Sequence, residues 1–307
     1  MTDVALVREV GIRDGLQMSE TILSTERKIE WAHRSAAAGI PEVEITSFVP
    51  PHILPQFADA EEVVSGCHDL RELTSALVVN LKGARRAFDA DLHKVNYVVS
   101  ASEAHSMANA RRSTDAALDE FEKIVAERQQ RGLAGRVKLS CGIATAFGCT
   151  IQGPVPEARV YEMVERVLSA GVDEVMLADT VGYGNPLQVK RIMTRVAAAA
   201  GSIPVSAHFH DTRALGLANV IGALEAGIRR FDASLGGLGG CPFAPGATGN
   251  ISTEDTVFLL ETMGVSTGID IDALLALRTD VEKWLPKDRF SGAIARAGLP
   301  KTFSTAA

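Results

Sequence analysis

The chain has 307 residues, 46% hydrophobic and 22% charged, the composition of a globular protein with a full core. Thirty-one basic against 38 acidic residues give a formal charge of −7, which argues against nucleic acid as a partner. No apolar run is long enough to span a bilayer, the start MTDVALVREVG lacks signal-peptide features, and four cysteines without zinc-ribbon spacing read as reduced thiols of a cytoplasmic protein.

β-branched runs predict strands near 4–10, 42–48, 73–79, 94–100, 137–143, 174–180, 203–209 and 230–235. Stretches rich in Ala, Glu and Arg with helical spacing lie between them, among them 25–38, 112–131, 156–170, 186–200 and 214–226. Ser24 and Thr25 precede the first helix, and Gly39 and Gly171 stand where helices end. Strands alternating with helices mean a parallel sheet, and eight such units fit a (β/α)8 TIM barrel. The rival, an open doubly wound sheet, usually carries a glycine-rich phosphate turn after the first strand. The chain has VGIRDG there instead. We expect one domain over 1–307: a barrel over about 4–265, then a C-terminal helical extension over about 266–300, with helices at 270–283 and 288–297. The tail LPKTFSTAA reads as loosely ordered.

Sites in such barrels form at the C-terminal ends of strands. The first strand ends in Glu9, Arg13, Asp14 and Gln17, and the second carries Glu44. The sixth ends in Asp179 and Thr180, the seventh in His208, His210 and Asp211. The loop after the eighth, GGLGGCPFAPGATGN, ends in Asn250. His208 and His210 are two residues apart and so share a face. If Phe209 packs against the helices, both imidazoles enter the barrel mouth, where Asp14 would complete a mixed N/O set suited to zinc, manganese, magnesium or cobalt. Plainer readings stand beside this one: an Arg13–Asp14 ion pair, Asp179 capping a turn, and Cys241 as a small buried residue. The glycines around Cys241 favour a mobile lid over a buried thiol.

Three segments together, EVGIRDGLQ (9–17), HFHDTRALGLAN (208–219) and GLGGCPFAPGATGNISTED (237–255), resemble the motifs of the 3-hydroxy-3-methylglutaryl-CoA lyase family. EITSFVPPHILPQFAD (44–59) and LADTVGYGNP (177–186) also match. The resemblance implies a metal-dependent lyase that cleaves a 3-hydroxyacyl-CoA thioester in a retro-Claisen step, as in leucine degradation and ketone-body formation. It implies a divalent metal, Mg2+ or Mn2+ with Zn2+ or Co2+ as alternatives, held by Asp14, His208, His210 and Asn250. It implies catalytic roles for Arg13, Cys241, Asp179, His208 and Glu44, with Glu9, Gln17, Thr180 and Glu254 binding substrate, in a homodimer. Asp179 and His208 are both candidate bases, with Asp179 favoured.

Where the family usually has proline, two basic residues and tyrosine, this chain has Ile12, Glu20, His52 and Gly142. Coenzyme A carries phosphates that call for cations, so these departures point to an altered acyl or CoA site. An aldolase or lyase of the same metal barrel acting on another hydroxy acid or acyl-CoA is the second reading. A metal-dependent hydrolase usually brings its H-x-H on the first strand. A non-catalytic binding protein would be marked by a lost metal ligand or a lost Arg13.

Overall fold

Eight short parallel strands close into a barrel: β1 (Leu6–Glu9), β2 (Val43–Ser47), β3 (Thr74–Val78), β4 (Lys94–Ser100), β5 (Lys138–Ala144), β6 (Glu174–Asp179), β7 (Val205–Phe209) and β8 (Arg230–Ala233). Each pairs with its sequence neighbour, and β8 closes on β1. The computed structural model describes residues 3–240 and 249–305. Helices α1 (Thr25–Ala37), α2 (Ala60–Gly66), α3 (Leu81–Asp89), α4 (Glu103–Ala110), α5 (Thr114–Gln130), α6 (Glu157–Ala170), α7 (Pro186–Ala200) and α8 (Gly216–Glu225) run between the strands. Helices α9 (Thr253–Thr262), α10 (Ile271–Trp284) and α11 (Ile294–Ala297) follow. The (β/α)8 barrel is the one expected. Among the described residues no helix is long and apolar enough to cross a membrane.

The helix-ending glycines behave as their positions require. Gly39 and Gly171 take φ of +91° and +97°, the left-handed conformation that ends a helix without a Cβ penalty.

Alternate residues on each strand face opposite ways. Val7, Ile45, Ala76, Val95, Val175, Ala207, Phe209 and Phe231 are fully buried in the main apolar core. The other set includes charge. Arg8 Nε donates to Asp232 Oδ1 at 2.7 Å, and Arg8 also pairs with Glu174. Ser206 Oγ donates to Glu174 Oε1 at 2.7 Å. Lys94 Nζ bonds Glu174 and Glu42, each at 3.0 Å. Barrel interiors are more often filled with branched apolar side chains. Here residues from β1, β4, β6, β7 and β8 meet as a compensated ionic cluster. A buried cluster of this kind is costly to break, because removing one partner leaves another charge buried and unpaired.

The expected strand 4–10 divides at Ala5. Asp3–Val4 pairs with Val265–Ser266 in a separate two-stranded sheet, and only Leu6–Glu9 joins the barrel. The expected helix 288–297 shortens to Ile294–Ala297. The preceding stretch is tied down as a loop instead: Ser291 N–H donates to Gly236 O, and Asp255 accepts from the amides of Ala293 and Ile294. The tail is better held than its composition suggests, since Phe303 stacks on Phe258 with ring centroids 5.4 Å apart.

Candidate active site

The RDG turn begins where β1 ends. The amides of Asp14 and Gly15 both return to Val10 O, winding Gly11–Gly15 into one wide helical turn. Glycine is required at its start. A Cβ on Gly11 would lie 2.4 Å from Glu9 Oε1 and 2.7 Å from the Trp31 ring. The turn delivers Arg13 and Asp14 side by side to the barrel mouth. Arg13 Nη1 donates to Asp14 Oδ1 at 2.7 Å, while Arg13 Nε holds Glu44 on β2. Asn96 Nδ2 on β4 donates to the other Glu44 oxygen at 2.8 Å. Gln17 lies at the rim, 3.5 Å from Arg13 Nη1.

On β7, Phe209 is fully buried and packs on Phe147, ring centroids 6.1 Å apart. Strand alternation therefore sends His208 and His210 to the opposite side. Their Nε2 atoms are 3.1 Å apart, and each lies about 4 Å from Asp14 Oδ2, at 4.0 and 3.9 Å. One ligand atom from each of Asp14, His208 and His210 lies within 4.8 Å of the other two, a spacing one divalent cation can bridge. The second His208 nitrogen, Nδ1, lies 3.2 Å from Asp232 Oδ2.

Asn250 reaches this cluster through backbone pairing. His210 and Asn250 form an antiparallel bridge, Asp211 N–H donates to Gly249 O, and Ile251 N–H donates to Phe209 O. The stretch after the loop thus runs alongside the end of β7. Asn250 Nδ2 donates to Asp14 Oδ2 at 2.7 Å and to Leu238 O at 2.9 Å, while its Oδ1 is buried without a hydrogen-bond partner among the described residues. A buried carbonyl oxygen without a donor is costly. Beside two imidazoles and a carboxylate it fits a hard divalent ion. The loop stem is built for this approach. Gly239 and Gly249 have φ of +122° and +96°, and a Cβ on Gly239 would sit 2.6 Å from Asn250 Nδ2. Cys241 lies outside the described residues.

Charges at the mouth are sharply divided. Burial alone would raise Asp14, but Arg13, His208 and His210 outweigh it and bring the carboxyl down to about 2. Burial, with His208 beside it, lowers His210 to about 4 and keeps its ring neutral, the form that ligates metals. Burial would likewise lower His208, but Asp232 and Asp14 reverse the shift and raise it.

Four expected residues stand apart from the cluster. Glu9 and Glu254, expected to bind substrate, are fully buried. Glu9 accepts from the Gly11 and Leu235 amides and the Thr253 hydroxyl. Glu254 accepts from the Gly236 amide and Arg278. Through these bonds both brace the rim. Asp179 accepts from the amides of Tyr183 (2.8 Å) and Gly184 (3.0 Å), the turn-capping role its position allowed. Thr180 Oγ1 accepts from the Thr145 amide at 2.9 Å. Sequence reasoning passed over Asp232, Asn96 and Arg8. The available signal was a charged or amide side chain inside an otherwise apolar strand: RFDA, KVNYV and LVRE.

Comparison with known proteins supplies what geometry alone does not. A family model described as HMGL-like matches residues 5–281. The chain belongs to the HMGL-like family. It is 38% identical over 282 residues to hydroxymethylglutaryl-CoA lyase YngG of Bacillus subtilis, covering 92% of this chain and 93% of that one. It is also 38% identical over 285 residues to the (R)-citramalyl-CoA lyase of Chloroflexus aurantiacus, covering 89% of each. An HMG-CoA lyase structure from Acinetobacter baumannii, in complex with coenzyme A and 3-methylmalate, superposes with a TM-score of 0.91 at 41% identity, covering 98% of this chain and 97% of that one. Gly142, where the resemblance led us to expect tyrosine, makes room for a neighbour. A Cβ there would lie 2.6 Å from Met176 Cε, so the β6 methionine occupies the space beside Gly142. Glu20 and His52 are both exposed.

Proposed function

We propose that this protein is a metal-dependent carbon–carbon lyase that cleaves 3-hydroxy-3-methylglutaryl-CoA, or a close 3-hydroxyacyl-CoA, to acetyl-CoA and a keto acid. The observation that carries this reading is the meeting of Asp14, His208, His210 and Asn250 beside Arg13 in an HMGL-like chain. These four residues would hold Mg2+ or Mn2+, which when bound lowers the pKa of the substrate's tertiary hydroxyl.

The chain's own residues then divide the work. Asp179 takes the hydroxyl proton. Burial raises it to about 6, within the range that suits a general base, and each carboxylate oxygen keeps a lone pair beside its backbone bond. The bond between the carbinol carbon and the thioester's α-carbon breaks, and its electron pair enters the acetyl thioester as an enolate. Arg13, a permanent planar cation anchored by Glu44 and Asp14, meets the enolate oxygen. Cys241 or a water returns a proton to the enolate carbon. Gln17 and Thr180 line the approach. The working form is a cytoplasmic homodimer.

A second reading, a lyase for a related acyl group such as citramalyl, is favoured by the equal 38% identity to the citramalyl-CoA enzyme and by Gly142, Glu20 and His52. A panel of 3-hydroxyacyl-CoA thioesters with Mg2+ or Mn2+, scored for acetyl-CoA release, tests both. Release from hydroxymethylglutaryl-CoA above all others supports the first. A preference for citramalyl-CoA supports the second. No release from any thioester overturns the lyase reading.

A further inference from the structure

We propose that Asp232 is a positioning residue that fixes the tautomer of His208 and so keeps the His208 Nε2 lone pair facing Asp14 and His210, and that Arg8 fixes Asp232 in turn. The inference rests on the metal-site reading above but concerns a residue outside that ligand set.

The geometry is specific to the two carboxylate oxygens. Asp232 and His208 are register partners on β8 and β7. Asp232 Oδ2 lies 3.2 Å from His208 Nδ1, and Oδ1 accepts from Arg8 Nε at 2.7 Å. Both Asp232 and His208 are buried. An ionised carboxylate only accepts, so the facing Nδ1 must carry the proton. The ring's lone pair is then at Nε2, the nitrogen 3.1 Å from His210 Nε2 and 4.0 Å from Asp14 Oδ2. Arg8 cannot change its donor role. Its other contact, to Glu174, is braced by Ser206 and Lys94. The ionic cluster inside the barrel is thus the foundation of one metal-facing histidine.

Arg8 also makes Asp232→Asn a sharp probe. The amide can satisfy Arg8 only by turning its oxygen toward the guanidinium. Its NH2 then faces His208 Nδ1, which must accept. The ring proton moves to Nε2 and covers the nitrogen that should face the metal. A nearly isosteric change therefore reverses the tautomer without emptying the site.

The test uses the full chain freed of metal by chelation. Nitrogen NMR of the imidazoles reads which His208 nitrogen carries the proton, and Mn2+ titration followed by electron paramagnetic resonance reads affinity. In the neutral ring, read at a pH above the His208 titration, we expect the proton on Nδ1 in the wild type and on Nε2 in Asp232→Asn, with Mn2+ affinity reduced ~10–100-fold, the scale for a partner of a metal-bound histidine. A neutral wild-type ring with its proton on Nε2 overturns the proposal whether or not the variant folds. Unchanged Mn2+ affinity in a folded Asp232→Asn overturns it as well. If the wild type binds no Mn2+, the metal-site reading fails, and the NMR measurement still decides the tautomer.

Discussion

Glu9 and Asp14 stand five residues apart on one strand end, and the barrel treats them in opposite ways. Both are removed from water, which by itself raises a carboxyl pKa. Glu9 meets only amides, a hydroxyl and the nearby carboxylate of Glu254, and burial lifts it to about 7. Asp14 meets a guanidinium and two imidazoles, and falls to about 2. The same division runs through the molecule. Asp232 lies beside Arg8 and His208 and is lowered against its burial, whereas Asp179 and Glu254 are raised by theirs. Where a cation outweighs burial the carboxyl falls, as at Asp14 and Asp232; where burial outweighs the donors the carboxyl rises, as at Glu9, at Asp179 and, even beside Arg278, at Glu254. The difference teaches that depth alone does not set the charge of an acid, because Glu9 is fully and Asp14 largely withdrawn from water. The partner sets it.

The comparison is most open to attack at Asp14. Chelation should abolish turnover, and Mg2+ or Mn2+ should restore it; full activity after exhaustive chelation would remove the metal from the reaction. Asp14→Asn should bind Mn2+ at least ~10-fold more weakly, since a direct ligand matters no less than its supporting partner. Titration of the metal-free variant reads this directly.

Next in size is Arg13, which keeps Asp14 ionised. Arg13→Lys retains the charge and loses the fork that spans Glu44 and Asp14. Its kcat should fall by roughly 10²-fold, the scale for a lost oxyanion donor. A near-normal kcat would return Arg13 to a purely structural ion pair.

On the rim, the expected effects are on stability. Arg278→Met removes the cation beside fully buried Glu254 and should cost ~3–5 kcal/mol in denaturant unfolding. A cost near zero would mean that the rim carboxylates do not need their partners.

The smallest effect on turnover, and the one with opposite sign in stability, is expected at Glu9. Its folded pKa, about 7, lies above its usual 4.5. The stabilisation from this shift is therefore complete below pH 4.5 and lost as pH rises through 7. A shift of that size corresponds to at most roughly 3 kcal/mol. Glu9→Gln can keep every contact, its oxygen accepting from Gly11 and Leu235 and its NH2 donating to Thr253. The variant should lose less Tm than the wild type between pH 5 and pH 8, with kcat and KM little changed. A large rise in KM would instead place Glu9 in the substrate site.

The amino-acid sequence by itself determined the alternation of strands and helices, the placement of polar residues at strand ends, and the shared face of His208 and His210. Each is a local property, set by side-chain periodicity along one segment or by parity along one strand. Only the tertiary structure decided the rest. Asn250 reaches Asp14 because residues 249–251 pair with the end of β7. Asp232 reaches His208 because β7 and β8 align at those two residues. Glu9 and Glu254, close to the motifs in sequence, turned out to brace the rim. The physical reason is that a hydrogen bond or ion pair is made across strands by register and closure. Residues 14, 208, 232 and 250 share no local period, so no pattern along the chain reports that they meet.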